Sequence, residues 1–286
     1  MKRILLPTDF SENSINAIMY ALRLFKSQKV TFYLLHTYTP AAYNVGSMAD
    51  SYSALELQKA THENAVRSME AIVQKMEPLL QKGLHEVERI ITFNLLTYEI
   101  QDVVSDKGID LVIMGTQGAT GAKEIFIGTQ TMYTIKKAQC PVLAIPNDYV
   151  YQPPTDILFP TDFKVASGNP GLHMIRELCD AHQSKLHLLN AYYGVSLKDE
   201  QKETKAYLDA FFKDNIHEFH LAENTDVPGA IAAFQQKNSI NLLVMVHNKH
   251  SFFENLLFTP VINQIAYHTS IPFLVIPSQE RMLKAS

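Results

Sequence analysis

Apolar residues in this chain fall into two alternating patterns. Short aliphatic runs, such as 4–6, 111–114, 142–145, 157–159 and 273–276, lack the strict in-and-out alternation of a half-buried strand. Runs of that kind suit a parallel sheet covered on both faces. Between them lie longer stretches whose apolar positions recur at helical spacing: Ile15, Ile18, Met19, Leu22 and Phe25 behind Ser11, then Ala65, Met69, Ile72, Met76 and Leu79. Such spacing marks amphipathic helices. The pattern predicts strands over 3–9, 30–38, 86–94, 110–115 and 142–146, with helices over 11–27, 55–82, 98–107 and 129–138. Ser11 is placed to cap the first helix, and Gly108 to close the third.

The alternation then begins again. Strands are predicted over 156–162, 185–192, 216–223, 241–247 and 273–277, and helices over 170–183, 197–214, 227–238 and 259–268. Asn169-Pro170 supplies an N-cap followed by proline at the first helical position. The DILFPTD ending at Asp162 repeats the ILLPTD ending at Asp9, 153 positions earlier. The offset is 154 at Leu35/Leu189, 132 at His85-Glu86/His217-Glu218 and 131 at Cys140-Pro141/Ile271-Pro272, so the second copy lacks a piece between its second and third strands. A duplication of this size sets the fold argument. Two domains are expected, 1–147 and 156–278, joined over 148–155 by a segment whose two prolines interrupt any continuing element. The missing piece corresponds to 39–54 and part of the following helix. In the first copy that stretch reads as a mobile loop, and leaving the carboxyl end of a second strand it is placed to act as a lid over a ligand crevice.

Chemistry concentrates after the fourth strand, where GTQGATGAKEIFIGTQT sets Gly115, Gly118 and Gly128 in a G-x2-G-x9-G-T pattern. Glycines let loop amides approach a phosphate, and a helix opening at Gly128-Thr129 adds free amides and the positive end of its dipole. With the opening MKRILLPTD and the closing Cys140-Pro141 strand, this spacing resembles the universal stress protein (UspA) family in its ATP-binding form, over residues 1–146 in order. The chain as a whole resembles a tandem member. The resemblance implies two Rossmann-like domains of the adenine nucleotide alpha hydrolase type, each an open five-stranded parallel sheet with helices on both faces. It carries nucleotide contacts onto Pro7, Thr8 and Asp9, onto the backbone at Thr37 and Met114 around adenine, and onto Gly115, Gly118, Gly128, Thr129, Gln130 and Thr131 around ribose and phosphates, Gln130 through its amide alone. The plainer reading of Asp9 is a helix cap shared with Ser11. Lys123 is a candidate counter-charge for phosphate, against its being a solvated loop lysine. No G-x4-G-K-[ST] and no G-x-G-x-x-G after the first strand competes.

At the same offset the second copy has Val246 for Gly115, Lys249 for Gly118, Thr259 for Gly128 and Pro260 for Thr129. Cβ atoms replace close backbone approach and the proline removes an amide, so this copy is expected to be degenerate, structural or partner-binding. His247 and His250 form a His-x2-His pair, but a metal needs three or four converging ligands and only Glu254 is near in sequence.

Composition narrows the partners. The balance of 25 basic against 29 acidic residues has no basic cluster to follow a phosphodiester backbone, so nucleic acid is not expected. Two cysteines at non-equivalent positions, Cys140 and Cys179, suit a reducing cytoplasm. Only Ile4-Leu5-Leu6 separates Lys2-Arg3 from Pro7, too short for a signal segment, and no apolar run reaches the ~18 residues of a membrane span. Two function classes stay open: an adenine-nucleotide-binding regulatory protein of the stress response, holding ATP or AMP with Mg²⁺ bridging phosphates in the ATP case, and a slow ATPase or nucleotidyl- or phosphotransferase on the same fold. Glu124 and Gln117 are the candidates near the glycines to position an attacking water. The last strands, 142–145 and 273–276, are expected to pair within one chain as an intramolecular pseudo-dimer, a homodimer being a further and weaker level of assembly.

Overall fold

The computed structural model describes residues 1–39, 51–116, 128–192, 196–223, 225–247 and 270–282. They divide into two compact units, Met1–Ala138 and Gln139–Ser286. The first contains β1 (Lys2–Pro7), α1 (Glu12–Leu24), β2 (Val30–Tyr38), α2 (Ser51–Met76), β3 (His85–Phe93), α3 (Leu96–Lys107), β4 (Leu111–Gly115) and α4 (Thr129–Lys137). Its strands are all parallel in the order β3-β2-β1-β4. β1 lies inside, with Ile4 opposite both Phe32 and Leu111. Ile4, Leu5 and Leu6 are fully buried, which is why this run carries no polar alternation.

The helices follow their signals. The Ser11 hydroxyl accepts the Ser14 N–H at the start of α1. Ala17, Ile18, Ala21 and Leu22 turn inward, while Ile15 and Met19 are only half-buried. Gly108 closes α3 at φ 59°, a left-handed conformation that glycine adopts without strain. α2 starts at Ser51, so the last residues of the expected loop are helical; 40–50 of that proposed lid lie outside the described residues.

The second unit contains β5 (Val142–Ile145), β6 (Asp156–Pro160), α5 (Gly171–His182), β7 (Lys185–Tyr192), α6 (Asp199–Phe211), β8 (His217–Glu223), α7 (Val227–Lys237), β9 (Leu242–His247), β10 (Phe273–Pro277) and a short α8 (Gln279–Met282). Its order is β5-β10-β9-β6-β7-β8. The last five are mutually parallel and form the five-stranded sheet of repeat two, while β5 runs antiparallel to β10 with Leu143 opposite Leu274. β5, which ends repeat one in sequence, falls in the second compact unit; β10 meets its hydrogen bonds along one edge, and all four of its residues are buried. The helix expected over 259–268 lies outside the described residues.

The joining segment is tied down. Thr155 Oγ1 donates to Asn241 Oδ1 at 2.8 Å, Asn241 Nδ2 donates to Gln152 Oε1 at 3.0 Å, and Ser184 Oγ donates to the Pro154 carbonyl. Asn169 accepts the Gly171 N–H at 2.9 Å at the start of α5 and donates to the Pro277 carbonyl at 3.0 Å. One register departs from the sequence offsets. Tyr33 pairs Glu88 in repeat one, but its counterpart His187 pairs Glu218, two residues short of the offset counterpart His220. A slip of two keeps every side chain on its own face.

Candidate functional site

The carboxyl end of β1 is a hydrogen-bonded turn. Thr8 Oγ1 accepts the Phe10 N–H at 3.0 Å and lies 2.9 Å from Ser14 Oγ. Asp9 Oδ1 accepts both the N–H (3.1 Å) and the hydroxyl (2.5 Å) of Ser11, so the exposed carboxylate does cap this turn. Phe10 is held at φ 66°, a conformation costing a non-glycine residue roughly 1–2 kcal/mol. The ring of Phe10 lies 4.2 Å from that of His36, whose Nδ1–H donates to the Thr8 carbonyl at 2.8 Å. Burial pushes the His36 pKa down, against the smaller upward pulls of the Thr8 carbonyl and Asp9.

Above this turn opens a cavity of about 460 Å³. Its lining comes from the carboxyl ends of all four strands of the first unit: Pro7, Thr8 and Asp9 after β1, Thr37 and Thr39 at β2, Asn94, Leu95 and Leu96 between β3 and α3, Met114 and Gly115 at β4. Ser14 of α1 and the α4 start, Gly128, Thr129, Gln130 and Thr131, complete it. This is where open α/β sheets receive ligands, and the volume falls in the ~300–1,000 Å³ range of small-molecule pockets. Every residue that the resemblance carried toward a nucleotide lines this one cavity except Gly118, which lies outside the described residues with Gln117, Lys123 and Glu124.

No described side chain caps the α4 start and no acidic residue occupies its first turn, whereas α1 and α7 are capped by Ser11 and Asp226. Its leading amides therefore face the cavity with the positive end of the helix dipole. Gly128 donates its N–H to the Thr116 carbonyl. Its backbone (φ −57°, ψ 150°) is open to any residue, so conformation does not ask for glycine there. Gly115 is different, because a Cβ on it would stand 2.6 Å from the Asn13 side-chain amide. Thr131 is buried and donates its hydroxyl to the Gly115 carbonyl at 2.7 Å, tying α4 to β4. That hydroxyl proton is committed to the scaffold, which leaves the Thr129 hydroxyl, on an exposed residue, as the more available donor.

The model of the universal stress protein family matches residues 1–146 and again 155–277. The chain belongs to the universal stress protein family. Among family members, it is 32% identical over 158 residues to universal stress protein MJ0577 of Methanocaldococcus jannaschii, an alignment covering 50% of this chain and 94% of that one. It is 27% identical over 146 residues to universal stress protein MJ0531 of the same organism, covering 50% and 81%. The crystal structure of a universal stress protein from Archaeoglobus fulgidus superposes with a TM-score of 0.69 at 18% identity over 96% of both chains, which shows a common fold along the tandem. Among the described residues, no helix is long and apolar enough to cross a membrane.

Within this tandem family member, repeat two keeps the turn and changes its surroundings. Thr161 Oγ1 accepts the Phe163 N–H at 3.0 Å, Phe163 sits at φ 55°, and Asn190 in place of His36 donates to the Thr161 carbonyl at 2.8 Å. The turn is thus a property of the fold rather than of the glycine motif. Asp162, the counterpart of Asp9, has Lys164 Nζ at 3.4 Å, and its carbonyl accepts Gln201 Nε2 at 2.7 Å. Of the replaced loop, Val246 and the backbone of His247 are described as the end of β9; Lys249, His250, Glu254, Thr259 and Pro260 are outside the described residues. Residue reading missed Ser14, Thr39, Asn94, Leu95 and Leu96. The signal was available for the last three, since they follow the third strand as Thr8-Asp9 follow the first.

Proposed function

We propose that this universal stress protein holds one adenine nucleotide, ATP or AMP, in the cavity of its first repeat and acts as a stress-response regulatory protein. The observation that carries this reading is the start of α4, with no side-chain cap among the described residues, opening into a cavity at the carboxyl ends of β1–β4. Phosphates fit the leading amides of α4 beside Gly128, with the Thr129 hydroxyl as a further donor. On this reading adenine lies against Pro7, Met114 and the backbone at Thr37, and Asp9 accepts from a ribose hydroxyl; all four residues line the cavity. Where the ligand is ATP, Mg²⁺ bound with it would neutralise phosphate charge.

Repeat two is read as a structural or partner-binding copy. The antiparallel β5–β10 pair supports an intramolecular pseudo-dimer. Mass spectrometry of ligand released from freshly purified protein tests the main reading: an adenine nucleotide near one equivalent per chain is expected, and a ligand of another class overturns it. Phosphate release measured against occupancy separates a binding protein, which shows none on the timescale of exchange, from the slow ATPase alternative.

A further inference from the structure

At the other end of the strands of repeat two, side chains from three neighbouring strands converge. Asp156 opens β6, His187 is the third residue of β7, and Glu218 and His220 are the second and fourth of β8. The two-residue register slip sets His187 opposite Glu218, with His220 on the same face one pleat further. His187 Nδ1 lies 3.0 Å from His220 Nε2, and Glu218 Oε2 lies 3.6 Å from that same His220 nitrogen. One ligating atom from each of the three falls within 4.8 Å of the others. We propose that His187, Glu218 and His220 form a binding site for a divalent transition-metal ion of the Zn²⁺ class.

The orientation of His187 carries the argument. Asp156 Oδ1 is 3.0 Å from His187 Nε2, and a carboxylate oxygen accepts, so Nε2 bears the hydrogen. In the neutral ring this leaves Nδ1 as a bare lone pair directed at His220 and Glu218. A carboxylate behind a histidine, fixing its tautomer and raising the basicity of the far nitrogen, is the usual outer partner of a metal-bound imidazole. Phe234 of α7 packs on both rings, with centroids 5.3 Å from His187 and 4.8 Å from His220, and holds them in place. Tetrahedral coordination at ~2.0–2.1 Å sets two nitrogens ~3.3 Å apart. The 3.0 Å seen here is within a few tenths of an ångström of that spacing.

Two imidazoles and a carboxylate suit Zn²⁺ and its neighbours rather than Mg²⁺ or Ca²⁺. His187 is buried while Glu218 is exposed, so the open fourth position faces solvent and takes water. Lys185 Nζ at 2.7 Å holds Glu218 Oε1, which leaves Oε2 for the ion. Repeat one cannot build this site, because the counterparts of His187 and Asp156 are Tyr33 and Arg3. An ion here joins β7 to the edge strand β8, far from the glycine motif in sequence and in a different unit.

Full-length protein stripped with a chelator and titrated with Co²⁺, then with Zn²⁺, tests this. One ion per chain is expected, with visible cobalt absorption and a Zn²⁺-dependent rise in melting temperature. His220→Ala and Glu218→Gln should each weaken binding at least tenfold. Asp156→Ala should weaken it roughly ten- to hundredfold, the range for losing an outer carboxylate partner. Glu218 is on the surface, so Glu218→Gln decides the matter even where His220→Ala fails to fold. Absence of binding at stoichiometric ion, affinity unchanged by Glu218→Gln, or loss of binding in His250→Ala with the cluster intact overturns the proposal.

Discussion

Gly128 and Asp9 illustrate how one residue serves scaffold and ligand in different proportions. Gly128 has a backbone conformation open to any residue and lines the cavity, so under the proposed function a side chain there would crowd the ligand. Gly128→Val is expected to abolish nucleotide binding while far-ultraviolet dichroism and melting of the ligand-free protein stay close to wild type; a variant that fails to fold contradicts this assignment. Asp9→Ala removes one charged acceptor and should weaken nucleotide binding by about 1–3 kcal/mol. It also removes the acceptor of two Ser11 bonds, so melting temperature must be measured beside affinity. His36 gives a pH prediction. Its folded pKa is depressed below the ordinary 6.5, chiefly by burial, so the unfolded chain binds the proton more readily. The stability this residue contributes is present above pH 6.5 and lost as pH falls from there through the depressed value. His36→Asn copies Asn190, which makes the equivalent bond in repeat two, and should flatten the acid side of the stability curve without lowering the neutral plateau. A denaturant series across this pH range checks it; an unchanged acid slope contradicts it. That Gly115, Gly128 and Asp9 would gather at one cavity was legible in the sequence, because glycine and proline punctuate strand ends. The Thr131 bond to Gly115 and the contact of Gly115 with Asn13 were not, since the first joins positions 16 residues apart and the second joins β4 to α1 across the elements between them.

Among the elements, the strands of the inner sheet were the most legible, because continuous aliphatic runs leave a covered parallel strand little alternative. β2, β7 and β10 have the expected bounds, the other expected elements that are described differ by a few residues at their ends, as fraying and capping make usual, and α8 was not expected. The β7–β8 register was not legible, because the His-Glu pairs at 85–86 and 217–218 suggest an equivalence that strand pairing sets two residues away. The pairing of 142–145 with 273–276 was legible from two short apolar edge strands, and β5 and β10 do pair, antiparallel. That edge is testable. Leu143 and Leu274 face each other in the β5–β10 pair and are buried, so replacing both by Lys puts two like charges side by side in an apolar layer. Loss of hydrogen-exchange protection across Val142–Ile145 and a lower melting temperature are expected. Protection equal to wild type means that β5 does not depend on this pairing.

At the scale of the whole chain, duplication followed by divergence accounts for the chemistry. Both repeats keep the Thr-Asp-Phe turn with its left-handed phenylalanine, but only the first keeps the glycines around its cavity. The second has placed Lys164 beside Asp162 and has acquired histidines at the opposite ends of its strands. Both cysteines are buried, and burial pushes the Cys179 thiol up to about 12, so thiolate chemistry is not available to that residue near neutral pH. The asymmetry is the central claim, and calorimetric titration of the full chain with ATP and Mg²⁺, and separately with AMP, tests it most directly. One site per chain, lost in Gly128→Val, is the predicted result; two equivalent sites, none for either nucleotide, or undiminished binding by Gly128→Val contradicts it.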